Sequence, residues 1–336
     1  MHAIRNANCP IGHHSFAQGQ DIMTSRYIAA AALSSALSLL CGNPALALDS
    51  DQGRKISPNI DPKSWVYGPR FNDTTGGVIW NPVKQKLLNG ERFAGRTVQG
   101  TYPATSDSTY CNAASNPMPN PTSDMSDPDF TWTEMQHSGL TWGDAWRMWA
   151  HGSSDACPAR KAIPGVRVAY TNEHEIQHAL DGGAMVLVVP TVDTEEEARE
   201  VVQWAYFPPF GRRSAGGSQT NAVLTPWLAA KGLTNAQYRQ TFNNNLVLIV
   251  MIETIEGVKN AAKIARVPGV HAVFAASGDL GNFSGWAQGD AQYERLIKAV
   301  KDAAVESGKR VCGPYAWRLN PDVNGVPRTS FSCFQN

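Results

Sequence analysis

The sequence predicts an α/β fold, a closed (β/α)8 TIM barrel, on three observations. Strand-like apolar runs alternate with helical stretches along most of the chain. The two most apolar runs, MVLVVP and LVLIVMIE, are continuous, as strands buried on both faces of a parallel sheet are. About 250 residues carrying eight candidate strands suit a closed ring better than an open sheet.

Taken in order, the chain opens with a leader. Residues 1–47 are expected to contain a secretory signal peptide beginning at Met23: a basic start at Arg26, an apolar run from Tyr27 to Leu40, then Ala45-Leu46-Ala47 at the cleavage site. Cys41, Gly42, Asn43 and Pro44 interrupt the run, and a membrane anchor needs about 20 apolar residues, so no membrane association is expected after cleavage. Leu39 and Leu40 before Cys41 are too large for a lipoprotein signal. Residues 48–82, rich in Pro, Gly, Asn and Asp, read as an extended arm, and 83–336 as the barrel domain.

Within that domain the strand-like runs are Arg96 to Tyr102, Asp129 to His137, Gly165 to Tyr170, Ala184 to Val192, Leu246 to Thr254, Val270 to Ala276, Arg310 to Tyr315 and Thr329 to Phe334. Helical stretches lie at Thr141 to Ala150, Glu173 to Leu180, Thr194 to Trp204, Ile255 to Ala265 and Ala291 to Ser307. Irregular stretches, Ser106 to Ser126 and Gly211 to Thr225, would follow strands one and four, on the face where barrels carry their active sites.

Composition narrows the function. Basic and acidic residues balance at 29 each, which gives no electrostatic footprint for nucleic acid. Removing the leader takes Cys9 and Cys41 and leaves Cys111, Cys157, Cys312 and Cys333, an even set that reads as two disulfides in an exported protein, secreted or periplasmic. Proximity in sequence favours Cys111 with Cys157 and Cys312 with Cys333. There is no CxxC pair, Gly-rich phosphate loop or nucleophile elbow.

Chemistry concentrates where strands end. Strand two runs into Glu134-Met135-Gln136-His137, strand five into Glu253-Thr254, and strand six into Ser277-Gly278-Asp279. Carboxylates at the ends of buried strands need compensation. Glu253 and Asp279, on neighbouring strands, either bind a hard divalent cation or form salt bridges and helix caps. A second motif, His174-Glu175-Ile176-Gln177-His178, is a literal HExxH, which on a helix puts two imidazoles on one face. A zinc metallopeptidase is the third function considered, but no third ligand is evident and this helix is expected to pack outside the ring. Trp142, Trp146 and Trp149 at helical spacing read as packing, and Arg212-Arg213 as a loop that either meets a substrate anion or is solvated.

Three stretches together resemble a known family: DFTWTEMQHSGLTWGDA, GAMVLVVPTVDTEEEAREVVQWAYFPPFGRRSAGG and LVLIVMIETIEGVKNAAKIARVPGVHAVFAASGDL are similar to the HpcH/HpaI aldolases, metal-dependent pyruvate aldolases related to citrate lyase beta subunits. The resemblance runs from about Trp80 to the end of the chain. It implies a barrel of the phosphoenolpyruvate/pyruvate-binding type, with Glu253 and Asp279 as ligands to Mg2+ or Mn2+, Co2+ and Zn2+ being further options. It also implies His137 as general base, Glu134 at the position that orients the histidine, and Arg167 at the keto and enolate oxygens. Ser277 and Gly278 would offer backbone N–H groups to the substrate carboxylate. The implied activity is carbon–carbon cleavage or formation in a 2-keto-4-hydroxy acid, with a pyruvate- or oxaloacetate-like keto acid and an aldehyde as partners.

Several positions depart from the family pattern. Met251 replaces the usual Gln, Glu134 an Asp, Gln136 a Glu, and Ala276-Ser277-Gly278-Asp279-Leu280-Gly281 an altered strand-six motif. The terminal helix that family members often exchange between subunits has no counterpart after strand eight, so the usual homo-oligomer is not assumed. The departures motivate an alternative: a keto-acid and metal-binding barrel that has lost turnover.

Overall fold

The computed structural model describes residues 79–115, 128–159, 162–208, 210–215, 235–275, 278–313 and 330–334, all within one compact unit, Pro44–Asn336. The expected signal peptide, its cleavage site and most of the arm lie outside the described residues, as do residues 116–126 and 216–225 of the two irregular stretches.

The protein has an α/β fold on a curled sheet of parallel strands. The strands are β1 (Phe93–Val98), β2 (Phe130–Glu134), β3 (Ile163–Arg167), β4 (Val186–Val189), β5 (Val247–Ile252), β6 (Ala272–Ala275) and β7 (Arg310–Cys312), each hydrogen-bonded to the next in parallel register. A last strand, β8 (Ser330–Phe334), pairs with both β7 and β1 and completes the strand order as a ring.

That closure corrects the all-parallel expectation: β8 runs antiparallel to both neighbours. A parallel return needs a crossover, usually a helix. The stretch between β7 and β8 carries Pro314, Pro321 and Pro327 with Gly325, which disfavours one. Disulfides join Cys312 of β7 to Cys333 of β8, and Cys111 to Cys157.

The helices are α1 (Pro82–Leu88), α2 (Asp107–Ser115), α3 (Trp142–Gly152), α4 (Glu173–Asp181), α5 (Glu195–Ala205), α6 (Asn235–Asn245), α7 (Ile255–Arg266), α8 (Gly278–Ser284) and α9 (Ala291–Glu306). In α5 the buried residues Ala198, Val201, Val202 and Ala205 recur every three or four positions, the stripe that a helix lays on a sheet. Thr141 and Thr194 close capping boxes with Asp144 and Glu197 at the starts of α3 and α5. Helix α2 corrects the expectation of an irregular stretch after strand one. Its Tyr110, Ala113 and Ala114 are buried, and the Tyr110 hydroxyl lies 3.0 Å from Thr131 Oγ1.

Inside the ring, Phe130, Trp132 and Glu134 rise along one face of β2 at the two-residue period of a strand. A Cβ on Gly165 of β3 would sit 2.7 Å from the Phe130 ring, and one on Gly95 of β1 would collide with it too. At Gly165 the missing side chain also clears the Thr131 carbonyl, 2.7 Å from that Cβ, while strand β1 gives up a side chain to make room for the ring. Above it, Trp132 meets Phe274 of β6 with ring centroids 5.5 Å apart.

Where the strands begin, α1 lies across their ends. Asn245 Oδ1 accepts from Trp80 N at 2.7 Å and Asn81 N at 2.9 Å, and Asn81 Nδ2 donates to the Asn245 carbonyl at 2.7 Å. Lys84 Nζ lies 2.6 Å from His271 Nε2, while His271 Nδ1 accepts from Leu248 N at 3.1 Å. Burial pushes the His271 imidazole well below the usual histidine range, helped by the charges of Lys84 and Lys309. Ile79, Trp80 and Asn81, the described end of the arm, are fully buried.

Candidate active site

At the opposite end, where the strands finish, the polar groups are carboxylates, an arginine and an imidazole. Register sets the first pair: Glu134 and Arg167 are directly opposed on β2 and β3. Arg167 Nη2 and Nε reach Glu134 Oε2 at 2.6 and 2.7 Å, and both side chains are nearly buried. The same oxygen accepts from Trp132 Nε1 at 3.2 Å. Glu134 Oε1 accepts from the backbone N–H groups of Gln136 at 2.8 Å and His137 at 3.1 Å. These contacts give Glu134 a positioning role, since one carboxylate fixes both the arginine and the backbone that carries His137. Arg167 Nη1 has no partner among the described residues.

The His137 side chain is 59% exposed, with Nε2 4.0 Å from Asp279 Oδ2. Asp279 stands in the first turn of α8, just past β6. A Cβ on Gly278 would meet nothing within 4 Å, so there is open space beside that backbone. Ser277 lies outside the described residues.

Glu253 follows β5 and is fully buried. Its Oε2 accepts from Thr191 N at 3.0 Å and Thr191 Oγ1 at 3.2 Å. Thr191 holds φ at 47°, an unusual conformation for a β-branched residue that costs roughly 1–3 kcal/mol. The strain turns both of its donors to one carboxylate oxygen.

Among the described residues no group of three or more His, Cys, Asp or Glu gathers in a way that could hold a metal ion. Glu253 and Asp279 both offer carboxylate oxygens, the first fully buried and the second 30% exposed. That chemistry fits a hard divalent cation completed by water and substrate oxygens.

Thr191 and Trp132 are the residues that sequence reasoning missed here. Trp132 was accessible through its two-residue spacing from Glu134, but nothing in the sequence marks Thr191 for positive φ. The other singled-out residues settle elsewhere. Trp149 is buried and donates from Nε1 to Thr133 Oγ1 at 2.9 Å, a packing role. Arg213 is buried over the rings of Phe207 and Phe242 and bonded to Asp181 at 2.6 Å, so it does not stand in bulk solvent. In the HExxH segment, Glu175 Oε1 lies 3.5 Å from His174 Nδ1 rather than standing free to activate a water.

Comparison with known proteins bears on this end of the molecule. The family described as HpcH/HpaI aldolase/citrate lyase matches residues 110–309. The hydroxypyruvate/pyruvate aldolase of Delftia acidovorans is 40% identical over 158 residues, covering 46% of this chain and 55% of that protein. The 4-hydroxy-2-oxo-heptane-1,7-dioate aldolase of Escherichia coli is 35% identical over 149 residues, covering 44% and 54%. The chain thus spans about half the length of the curated relatives it matches. Among solved structures, an HpcH/HpaI aldolase/citrate lyase family protein from Burkholderia cenocepacia superposes with a TM-score of 0.58 at 24% identity, covering 73% of this chain and 90% of that one. An HpcH/HpaI aldolase from Desulfitobacterium hafniense gives 0.54 at 25%, covering 68% and 80%.

Proposed function

The chain belongs to the HpcH/HpaI aldolase/citrate lyase family, and from that premise we propose that it is a class II carbon–carbon lyase that cleaves or forms 2-keto-4-hydroxy acids, with pyruvate as one product. Its ring is read as the (β/α)8 barrel of the phosphoenolpyruvate/pyruvate-binding type, with the last strand reversed. The observation that carries the activity is the exposed His137 imidazole 4.0 Å from Asp279, at the end of the ring where Glu134 anchors Arg167.

In this reading Glu253 and Asp279 hold a divalent cation, Mg2+ or Mn2+ by the hardness of the donor set. When bound, the cation supplies Lewis-acid charge at the keto oxygen of the substrate. Arg167, immobilised by two bonds to Glu134, offers Nη1 to the same developing negative charge, and a fixed donor costs little reorganisation. His137 moves the proton at the substrate hydroxyl, and Glu134 sets where it stands by holding its backbone N–H. The backbone at Gly278, with open space beside it, receives the keto-acid carboxylate.

Export to the periplasm or medium belongs to the same proposal and is supported by the leader-like sequence and the two disulfides. The test is release of pyruvate from 4-hydroxy-2-keto acids and from oxaloacetate with added Mn2+ or Mg2+, beside Asp279→Ala and a metal-only blank. Metal-dependent release that the substitution abolishes supports the lyase. Metal uptake without turnover across the substrate panel overturns it in favour of a binding protein.

A further inference from the structure

We propose that His174 and His178 form a second metal site, on the outer face of α4, for a nitrogen-preferring divalent transition ion such as Cu2+ or Zn2+. The two imidazoles stand one turn apart with ring centroids 4.2 Å from each other. Both have their Nδ1 side occupied. His178 Nδ1 lies 2.9 Å from the His174 carbonyl, which can only accept, so Nδ1 carries the proton and the neutral ring keeps its Nε2 lone pair. His174 Nδ1 faces Glu175 Oε1 at 3.5 Å, which leaves its Nε2 outward as well. A backbone carbonyl on one ring and a carboxylate on the other are the outer partners that orient metal-binding histidines.

Rigidity adds to the argument. Trp146 stacks on His178 with centroids 5.9 Å apart, and its Nε1 donates to the His178 carbonyl at 2.9 Å, so the helix turn and the ring are both braced. The rings line an open pocket of about 390 Å³ with Glu173, Gln177 and Ser214, which has room for the waters that complete the coordination. The neighbouring cation, Arg212, is paired with Glu173 at 3.1 Å. Paired imidazoles favour Cu2+ and Zn2+ over the oxygen-seeking ions expected at Glu253 and Asp279, so the two sites select different metals. With Glu175 engaged on His174, the site binds a metal without the peptidase chemistry that the motif otherwise suggests.

The experiment titrates untagged mature protein, from Leu48 onward and so without the leader's His2, Cys9, His13, His14 and Cys41, with Cu2+, and separately with Zn2+. Uptake is followed by calorimetry and by quenching of tryptophan emission, since Trp146 touches a ligand. Glu253→Gln/Asp279→Asn removes the other candidate site. The expected result is one retained equivalent in that double variant, weakened tenfold or more by His178→Asn and independently by the exposed His174→Asn, with two nitrogen couplings in the Cu2+ resonance spectrum. Pyruvate release by the two histidine variants is expected to stay at the parent level. Uptake lost with the two carboxylates, or equally tight in both histidine variants, overturns the proposal.

Discussion

Where the strands begin, Asn81, Asn245, Lys84 and His271 are buried and bonded to one another or to backbone within the floor itself. Where they end, Glu134 and Arg167 are held just as firmly, yet they border an imidazole left 59% in solvent and an arginine nitrogen with no partner among the described residues. Both ends bury polar groups, so burial does not separate structural polarity from functional polarity. What separates them is whether the bonded groups consume one another or aim a neighbour outward. The floor closes on itself, and the upper end spends its bonds on positioning.

Four experiments test that contrast. The largest effect is expected for Asp279→Asn and Glu253→Gln, which should lower pyruvate release by roughly 10³-fold, about 4 kcal/mol of barrier, with little change in the urea midpoint. A large loss of stability with activity kept would make the upper carboxylates structural. On the floor, Asn245→Ala removes the acceptor for two backbone N–H groups and should cost about 3 kcal/mol in urea unfolding. The folded fraction should retain its specific activity; if activity falls with stability unchanged, the two ends are not separable.

The third effect is a pH dependence. Because the folded His271 imidazole titrates below its unfolded value of about 6.5, the unfolded chain takes up more protons as pH falls. Stability that is complete above about pH 6.5 should therefore decline at lower pH, by up to about 1.4 kcal/mol per unit, until the folded group itself protonates. His271→Asn should be less stable near pH 7 but lose less between pH 7 and 5, as read from urea midpoints. The smallest effect belongs to neither end: Thr194→Ala removes the cap of α5 and should cost about 1 kcal/mol in thermal unfolding without touching turnover.

Much of the fold was legible because burial writes itself into apolar runs. The stretch read as Leu246 to Thr254 is β5 with little trimming, and Thr194 to Trp204 is α5 with its cap. Helix α6 was not legible: it ends in Thr241-Phe242-Asn243-Asn244-Asn245, all buried, a run whose polar composition reads as loop until its bonds to the floor are known. Helix α2 hid behind Ser, Thr and Asn for the same reason. The direction of β8 was hidden because apolar alternation carries no arrow. At the site, family resemblance pointed to His137, Arg167, Glu253 and Asp279, whereas the bond between Glu134 and Arg167 depends on the register of two strands. The turn at Thr191 depends on a backbone angle that no residue type announces.

The ring of Phe130 and the bare backbone of Gly95 opposite it make two distant positions one steric unit. A smaller residue at 130 leaves a void, and a side chain at 95 meets the ring, so each single step is penalised while the exchange of both is not; Gly165 stands apart, because a Cβ there also meets the Thr131 carbonyl at 2.7 Å, which no change at Phe130 relieves. Relatives that fill this layer differently should have changed 95 and 130 together and kept the glycine at 165. A library that varies 95 and 130 jointly should yield folded members that no one-at-a-time scan would reach.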